Sequence, residues 1–172
     1  MSTKNHYLYA PTWATEEPKE LYSEILTNLF MGGTKDDETV DIPKRLPHLE
    51  DKSDFDSVVT LYAWAHPMGW GVEELRFGFP DHISAEKDLM QIKDIANWAH
   101  DRWKLGKRVL VRCQAGLNRS GLVTALVLMK AGMTAEAAVE LIREKRSPDA
   151  LCNDAFIDWI IEHEEMRSNN VN

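Results

Sequence analysis

The chain has 172 residues, and its 20 Lys and Arg residues against 28 Asp and Glu residues give a formal net charge of −8. This length fits one domain, so we expect residues 1–172 to form a single domain in which residues 1–24 are a polar arm or cap. The apolar content of 44% is enough for a continuous core and excludes disorder for most of the chain. No stretch is typical of a membrane span or a signal peptide, which predicts a soluble, cytoplasmic protein.

Cys113 and Cys152 are the only two cysteines, which excludes a disulfide framework. The six histidines show no zinc-binding spacing, and we expect no metal and no cofactor. The acidic charge argues against attraction to nucleic acid backbones or anionic membranes. Any anion that the protein binds must therefore be held by a local site.

The first half of the chain predicts short strands separated by irregular segments. Apolar and β-branched residues indicate a first strand and glycine turn at residues 25–33, and further strands at residues 55–62 and about 74–79. Residues 34–54 are charged and contain two prolines, which favours a surface loop with at most one helical turn. Residues 63–72 contain proline, glycine and tryptophan, and they indicate a second loop.

The second half predicts helices around one buried strand. Residues 109–111 are consecutive apolar residues, as in a strand that is covered on both faces. Strands that alternate with helices indicate an α/β fold, and we expect a three-layer sandwich with a mostly parallel central sheet flanked by helices. The helices are expected from the cap residue Ser84 to Gly106, over the apolar residues 122–129 with an end near Gly132, and after the cap residues Thr134 and Asn153.

A short loop between the strand 109–111 and the helix 122–129 carries the clearest functional signal. Backbone N–H groups of such a loop converge on one centre and can bind an oxyanion. Arg119 adds a planar charged fork for phosphate oxygens. Cys113 lies at the base of the loop, where the positive helix end and Arg119 favour a nucleophilic thiolate, and Ser120 can donate its hydroxyl to that sulfur. The expected phosphate-binding residues are Gln114, Ala115, Gly116, Leu117, Asn118 and Arg119.

Two competing interpretations of this loop are weaker. Cys113 could be a buried core thiol with Arg119 on the surface, but this does not account for the spacing of the motif. Gly116 and Gly121 have the spacing of a nucleoside triphosphate loop, yet apolar residues stand where Lys and Ser or Thr are required.

The segment Arg112-Cys113-Gln-Ala-Gly116-Leu-Asn-Arg119-Ser120 resembles the signature His-Cys-x2-Gly-x2-Arg-[Ser/Thr] of the cysteine-dependent protein tyrosine phosphatases, specifically their compact dual-specificity group. The resemblance covers about residues 25–161. It implies a dual-specificity phosphatase-like fold and metal-independent hydrolysis through a cysteinyl-phosphate intermediate. Arg112 replaces the usual His, and it either places a second cation beside the sulfur or points away from it.

The same resemblance implies a general acid, and Asp81 after Phe77-Gly-Phe-Pro80 is similar to the acid loop of the family. The alternative is that Asp81 only starts the next helix. His82 could assist Asp81 or have no role. The weaker candidates for the acid are Asp54, Asp56, Asp88 and Asp94.

The resemblance favours a phosphorylated protein or peptide as substrate. One alternative is an RNA or nucleotide 5′-phosphatase of the same superfamily, since Gly-Leu-Asn-Arg-Ser-Gly is close to the motif of RNA 5′-triphosphatases. A second alternative is a catalytically weak phosphoprotein-binding module. Trp13, Trp64 and Trp70 could line a recognition surface, although such aromatics are more often core or loop anchors. The oligomeric state is left open by the sequence.

Overall fold

The computed structural model describes residues 8–9, 18–34, 54–82 and 86–169. The strands are β1 (Tyr22–Leu26), β2 (Leu29–Gly32), β3 (Ser57–Thr60), β4 (Glu73–Arg76) and β5 (Val109–Arg112). The helices are α1 (Glu86–Lys104), α2 (Arg119–Lys130), α3 (Ala135–Lys145) and α4 (Asp154–Asn169). In this part of the chain, no helix is both long enough and apolar enough to cross a lipid bilayer.

The strands form one sheet in the order β1-β2-β5-β3-β4. Strands β2, β5, β3 and β4 pair in parallel, and only β1 runs antiparallel to its neighbour β2. Strand β5 lies in the centre, so the residues that follow it come out at the carboxyl edge of the parallel strands. That edge is where α/β folds collect their ligands. The predicted class, an α/β fold with a mostly parallel central sheet flanked by helices, is confirmed.

The core is divided by the alternation of side chains along the strands. Val109 and Val111 of β5 belong to the large cluster that also contains the apolar residues of the helices, whereas Leu110 joins a smaller cluster with Phe30, Phe55 and Val58. Helix α2 is at the centre of the large cluster, and its residues from Ser120 to Met129 are all buried. This burial explains why the sequence of α2 is apolar on nearly every face.

The prediction of a single strand and a glycine turn over residues 25–33 is wrong, because these residues belong to the hairpin of β1 and β2. The chain turns at Asn28, whose φ of 67° lies in the left-handed region that Asn tolerates better than most residues. No Gly or Pro marks this turn, so the sequence pattern hides it. Strand β1 also begins inside the segment that was expected to be an arm.

Most other elements agree with the predictions, with shifts of a few residues at their ends. Strand β4 ends at Arg76, and Gly78 beyond it passes close to Ala63, where a Cβ at residue 78 would lie 2.7 Å from that of Ala63. Thr134 and Asn153 accept hydrogen bonds from the N–H groups of Ala137 and Ala155 and cap α3 and α4 as predicted. The expected loop at residues 34–54 and the cap Ser84 lie almost entirely outside the described residues.

Candidate active site

The loop between β5 and α2 lies at the carboxyl edge of the parallel strands. Gln114 and Ala115 are exposed at its mouth, and Gly116 and Leu117 are buried. Asn118, the N-cap residue of α2, makes no side-chain capping bond, and the first turn of the helix contains no acidic residue. The positive end of α2 is therefore left for an anion.

Cys113 is buried at the base of this loop, where only 3% of its surface is exposed. Its Sγ lies 3.3 Å from Oγ of Ser120 in the first turn of α2. The two predicted residues are thus brought together, and the Ser120 hydroxyl is within reach of a thiolate at Cys113.

Gly116 allows the loop to pass close to the β1–β2 hairpin. Its φ is +70°, and a Cβ at this position would lie 2.4 Å from the carbonyl carbon of Gly32 and 2.7 Å from Nη2 of Arg146. A side chain at residue 116 would strain both the backbone and the packing.

Arg146 is a buried residue that supports the loop from below, and sequence analysis missed it. Its Nε donates to the carbonyl of Gly116 over 3.0 Å, and its other nitrogens donate to the carbonyls of Glu20 and Leu21. Burial lowers the pKa of Arg146, whereas its attraction to Cys113 and then to Glu20 acts in the opposite direction. Arg146 is therefore a cation that attracts a thiolate at Cys113.

The guanidinium of Arg119 bridges the end of β3 and the loop after β4. Its Nη1 donates to the carbonyl of Phe79 over 3.1 Å, and the charged group lies 5.5 Å from the ring centroid of Tyr62. The side chain is thus directed to the segment that contains Asp81.

Asp81 is exposed, and its carboxylate is held by Asn118 of the loop between β5 and α2. Nδ2 of Asn118 donates to Oδ2 of Asp81 over 3.0 Å. Oδ1 of Asn118 accepts the backbone N–H of Asn153, and the side chain of Asn153 donates to the carbonyl of Asp81 over 2.7 Å. Asn118 and Asn153 thus join the loop of Asp81 to the loop between β5 and α2 and to the start of α4.

Arg112 points away from the sulfur, which decides between the two readings of this substitution. Its side chain is fully buried and donates to Oγ1 of Thr60, the carbonyl of His66 and Oε1 of Glu74. Consecutive residues of a strand face opposite sides, so Arg112 and Cys113 diverge. Within the described residues, Nη1 of Arg112 has no hydrogen-bond partner.

The weaker candidates for the acid lie elsewhere. Asp54 and Asp56 precede β3 and contact Arg108, at the edge of the sheet opposite to Cys113. Asp88 and Asp94 are within α1, and His82 is exposed beside Asp81.

Trp64 and Trp70 are 82% and 98% exposed, so neither is a core residue or a buried loop anchor. Both lie between β3 and β4, in the part of that segment that comes after Tyr62. Trp13 lies outside the described residues.

Weak sequence signals exist for the residues that were missed. Arg146 follows Ala138 and Ile142 at the four-residue spacing of the buried face of α3, so its burial could have been inferred from the helical period. For Tyr62 the sequence shows only that it ends a predicted strand. Asn153 was recognised as a cap, but its bond to Asp81 has no local signal.

Comparisons with known proteins place this site in a family. Residues 73–166 match the family model of the dual specificity phosphatase catalytic domain. Among solved structures, a mouse putative dual specificity phosphatase complexed with zinc tungstate is 21% identical over 92% of this chain and 96% of its own, with a TM-score of 0.72. Human DUSP28 is 21% identical over 89% of this chain and 99% of its own, with a TM-score of 0.70.

A third structure, Tk-PTP in the active form, is 26% identical over 87% of this chain and 99% of its own, with a TM-score of 0.63. The family model covers more than half of the 172 residues and includes the whole loop from Cys113 to Ser120. The chain therefore belongs to the dual specificity phosphatase catalytic-domain family.

Proposed function

We propose that this chain hydrolyses phosphate monoesters of proteins, with Cys113 as the nucleophile. The observation that carries the proposal is the arrangement of Cys113 and Ser120, 3.3 Å apart at the base of a loop that also holds Asp81 through Asn118. The proposed nucleophile Cys113 and proton donor Asp81 thus lie around one anion-binding loop, together with Ser120, which can donate a hydrogen bond to the cysteine thiolate.

In the first step, the Sγ thiolate of Cys113 attacks phosphorus, and the bond from phosphorus to the ester oxygen breaks. The carboxylic acid of Asp81 gives its proton to that oxygen, which leaves as an alcohol or phenol. Arg119 and the N–H groups of the loop stabilise the charge on the equatorial oxygens of the transferring group.

In the second step, water attacks the phosphocysteine and the bond from sulfur to phosphorus breaks. The carboxylate of Asp81 accepts the proton of the water, and inorganic phosphate is released. Ser120 donates its hydroxyl hydrogen bond to the departing thiolate, while Arg146 attracts the charge from below.

The experiment that tests the nucleophile is hydrolysis of p-nitrophenyl phosphate in EDTA. Wild type should be active, and Cys113→Ser should lose turnover but still bind tungstate, because Arg119 and the loop amides remain. Cys152→Ser is the matched control, since it removes the other cysteine, and it should retain activity. Near wild-type turnover in Cys113→Ser, or complete inhibition by EDTA, would contradict the proposal.

A protein substrate is supported by the exposed Trp64 and Trp70, which lie on the segment that follows Tyr62 beside Arg119. Exposed aromatic rings of this size are typical of surfaces that recognise other macromolecules. The net charge of −8 opposes a long phosphate backbone.

The substrate class is tested with the double variant Trp64→Ala, Trp70→Ala. We expect a fall of about tenfold in kcat/KM for a phosphotyrosine peptide, from the lost apolar contacts, with little change for p-nitrophenyl phosphate. Leu105→Ala removes a similarly exposed apolar side chain after α1 and should have no effect. Release of phosphate from 5′-triphosphate RNA, without hydrolysis of the peptide, would instead favour an RNA 5′-phosphatase.

A further inference from the structure

A second concave site lies between α1, α2 and α4. Its volume is about 270 Å³, and basic side chains from all of these helices line it. Lys93 comes from α1, Lys130 comes from the last turn of α2, and His163 and Arg167 come from α4. Ala96 and Leu126 provide its apolar wall.

The electrostatics of this basic pocket differ from those of the whole chain. The net charge of the protein is −8, yet no carboxylate is among the described residues that line the pocket. Asp101, outside the lining, is 3.4 Å from Nζ of Lys130 and neutralises part of its charge. Lys93 and Arg167 keep the pocket positive.

Two contacts hold the cations in place around the pocket. Nη1 of Arg167 donates to the carbonyl of Met129 over 2.7 Å, which fixes the guanidinium at the carboxyl end of α2. Nζ of Lys93 lies 5.8 Å from the ring centroid of Trp159 on α4. An anion would therefore meet side chains that are already partly ordered, which lowers the entropic cost of binding.

His163 reports the positive potential of the pocket. Burial lowers the pKa of His163, and the charges of Lys93 and Arg167 lower it further. A bound anion would oppose the effect of these two cations and favour the protonated imidazole. The ring of His163 is thus a local probe for occupancy.

The basic pocket is separate from the loop that contains Cys113. Arg119 begins α2 and Lys130 ends it, and at 1.5 Å per residue these two positions are about 16 Å apart along the helix axis. A ligand in the pocket therefore contacts the end of α2 that is remote from Cys113 and Ser120.

We propose that the basic pocket binds a small soluble molecule with two or more phosphate groups. Lys93, Lys130 and Arg167 come from three different helices around the space, so they offer separate partners to more than one phosphate group, and Arg and Lys are the usual partners of phosphate oxygens. A volume of about 270 Å³ lies near the lower end of ligand pockets, which suits a small molecule better than a peptide segment. The proposal is independent of the chemistry at Cys113.

The test uses inorganic pyrophosphate as the probe and the His163 ring resonances as the readout. The measurement is made by NMR on the full chain with Cys113→Ser, so that the probe is not consumed, and His163→Gln assigns the signal. Pyrophosphate should move the His163 resonances and raise the pKa of His163. Lys93→Gln combined with Arg167→Gln should weaken this response at least tenfold.

Two controls keep the outcome specific. Lys145→Gln removes an exposed lysine of α3, outside the pocket, and should leave the response unchanged. Lys130→Gln tests the third cation singly and should weaken the response without unfolding, as checked by thermal denaturation. When Cys113 is left unchanged, the pocket variants should hydrolyse p-nitrophenyl phosphate at close to the wild-type rate.

Several results would overturn the proposal. The first is that pyrophosphate binds but leaves His163 unmoved, which would assign all binding to the loop of Cys113. The second is an equal response in the double variant. The third is a requirement for phosphoinositide-containing vesicles or for an acidic peptide, with no response to soluble pyrophosphate.

Discussion

Arg119 illustrates why the type of cation matters at the scale of one residue. Its guanidinium is planar, it donates to the carbonyl of Phe79, and it lies beside the ring of Tyr62. A lysine would keep the charge but lose the paired N–H donors that match two phosphate oxygens.

We predict that Arg119→Lys lowers kcat on p-nitrophenyl phosphate by about 10²-fold, the cost of losing one oriented donor to the transition state. KM should also rise, because the same donors bind the ground state. Steady-state kinetics separate the two effects. A variant with near wild-type values would remove Arg119 from the site.

Asp81 and Asn118 are joined by a hydrogen bond, in which the amide of Asn118 donates to the carboxylate that we propose as the acid. Asp81→Asn should lower the rate on phosphotyrosine by about 10² to 10⁴, and less on nitrophenyl esters, whose leaving groups need little protonation. Asn118→Ala should produce a smaller loss with the same dependence on the leaving group.

The double variant tests the coupling between these two residues. If Asn118 acts by positioning Asp81, its loss should cost little once Asp81→Asn is present, so the free energies should not add. Full additivity, or an equal loss on all leaving groups, would assign Asn118 to phosphate binding alone.

At the scale of elements, an ionic cluster around the buried Arg112 attaches the β3–β4 connection to the sheet. Glu74 accepts hydrogen bonds from Oγ1 of Thr60 and from the backbone of Met68, and it contacts Arg76 and Arg112. Burial alone would raise the pKa of Glu74, but these hydrogen bonds and charges outweigh it and lower the pKa. The signature usually has His at position 112, whereas in this chain Arg112 at that position is part of the ionic cluster.

We predict that Glu74→Gln lowers the free energy of unfolding at pH 7 by about 3 to 5 kcal/mol, because it leaves Arg112 buried without its counter-charge. A carboxyl group whose pKa is lower in the folded than in the unfolded state stabilises the fold at pH values above its unfolded-state pKa, which is near 4.5 for Glu74. This stabilisation is lost as the pH falls through the folded-state pKa. Wild type should therefore lose stability more steeply than the variant below pH 4.5.

Urea unfolding from pH 7 to pH 2 measures both effects. Glu162→Gln, on the exposed surface of α4, is the control and should change little. The pKa of Glu73 is lowered to about 2, chiefly by the hydrogen bond from Arg102, so Glu73 adds its own loss of stability in acid. This contribution is the same in wild type, Glu74→Gln and Glu162→Gln. Parallel pH curves for wild type and Glu74→Gln would show that the buried pair contributes nothing.

At the scale of the whole molecule, Arg146 joins segments that are distant in sequence. It lies at the end of α3, donates to the carbonyl of Gly116 in the loop between β5 and α2, and contacts the chain before β1 through Glu20 and Leu21. The site thus depends on the docking of the hairpin as well as on the local motif.

We predict that Arg146→Met lowers the free energy of unfolding by about 2 to 4 kcal/mol, because the buried carbonyl of Gly116 and the partly buried carbonyls of Glu20 and Leu21 lose their donor. It should also slow the alkylation of Cys113 by iodoacetamide, since a cation that attracts the thiolate is lost. Arg146→Lys should recover part of the alkylation rate and less of the stability. An unchanged alkylation rate in Arg146→Met would limit Arg146 to a structural role.

Local sequence was sufficient where cause and effect lie within a few residues. Cys113, Gly116, Arg119 and Ser120 lie within one short segment, and the apolar strand before it and the apolar helix after it specify the loop that brings Cys113 and Ser120 together. The caps Thr134 and Asn153 were predictable for the same reason, because a capping side chain bonds to an N–H two or three residues away.

The tertiary structure alone decided what each face of a strand packs against and which distant residues meet. Alternation along β5 shows that Arg112 and Cys113 diverge, but only the pairing with β3 places Arg112 against Thr60. Asn118 and Asp81 are 37 residues apart, and their contact follows from the packing of the two loops at one sheet edge. The basic pocket likewise exists only where α1, α2 and α4 pack together, because helical periodicity identifies a buried face without identifying its neighbours.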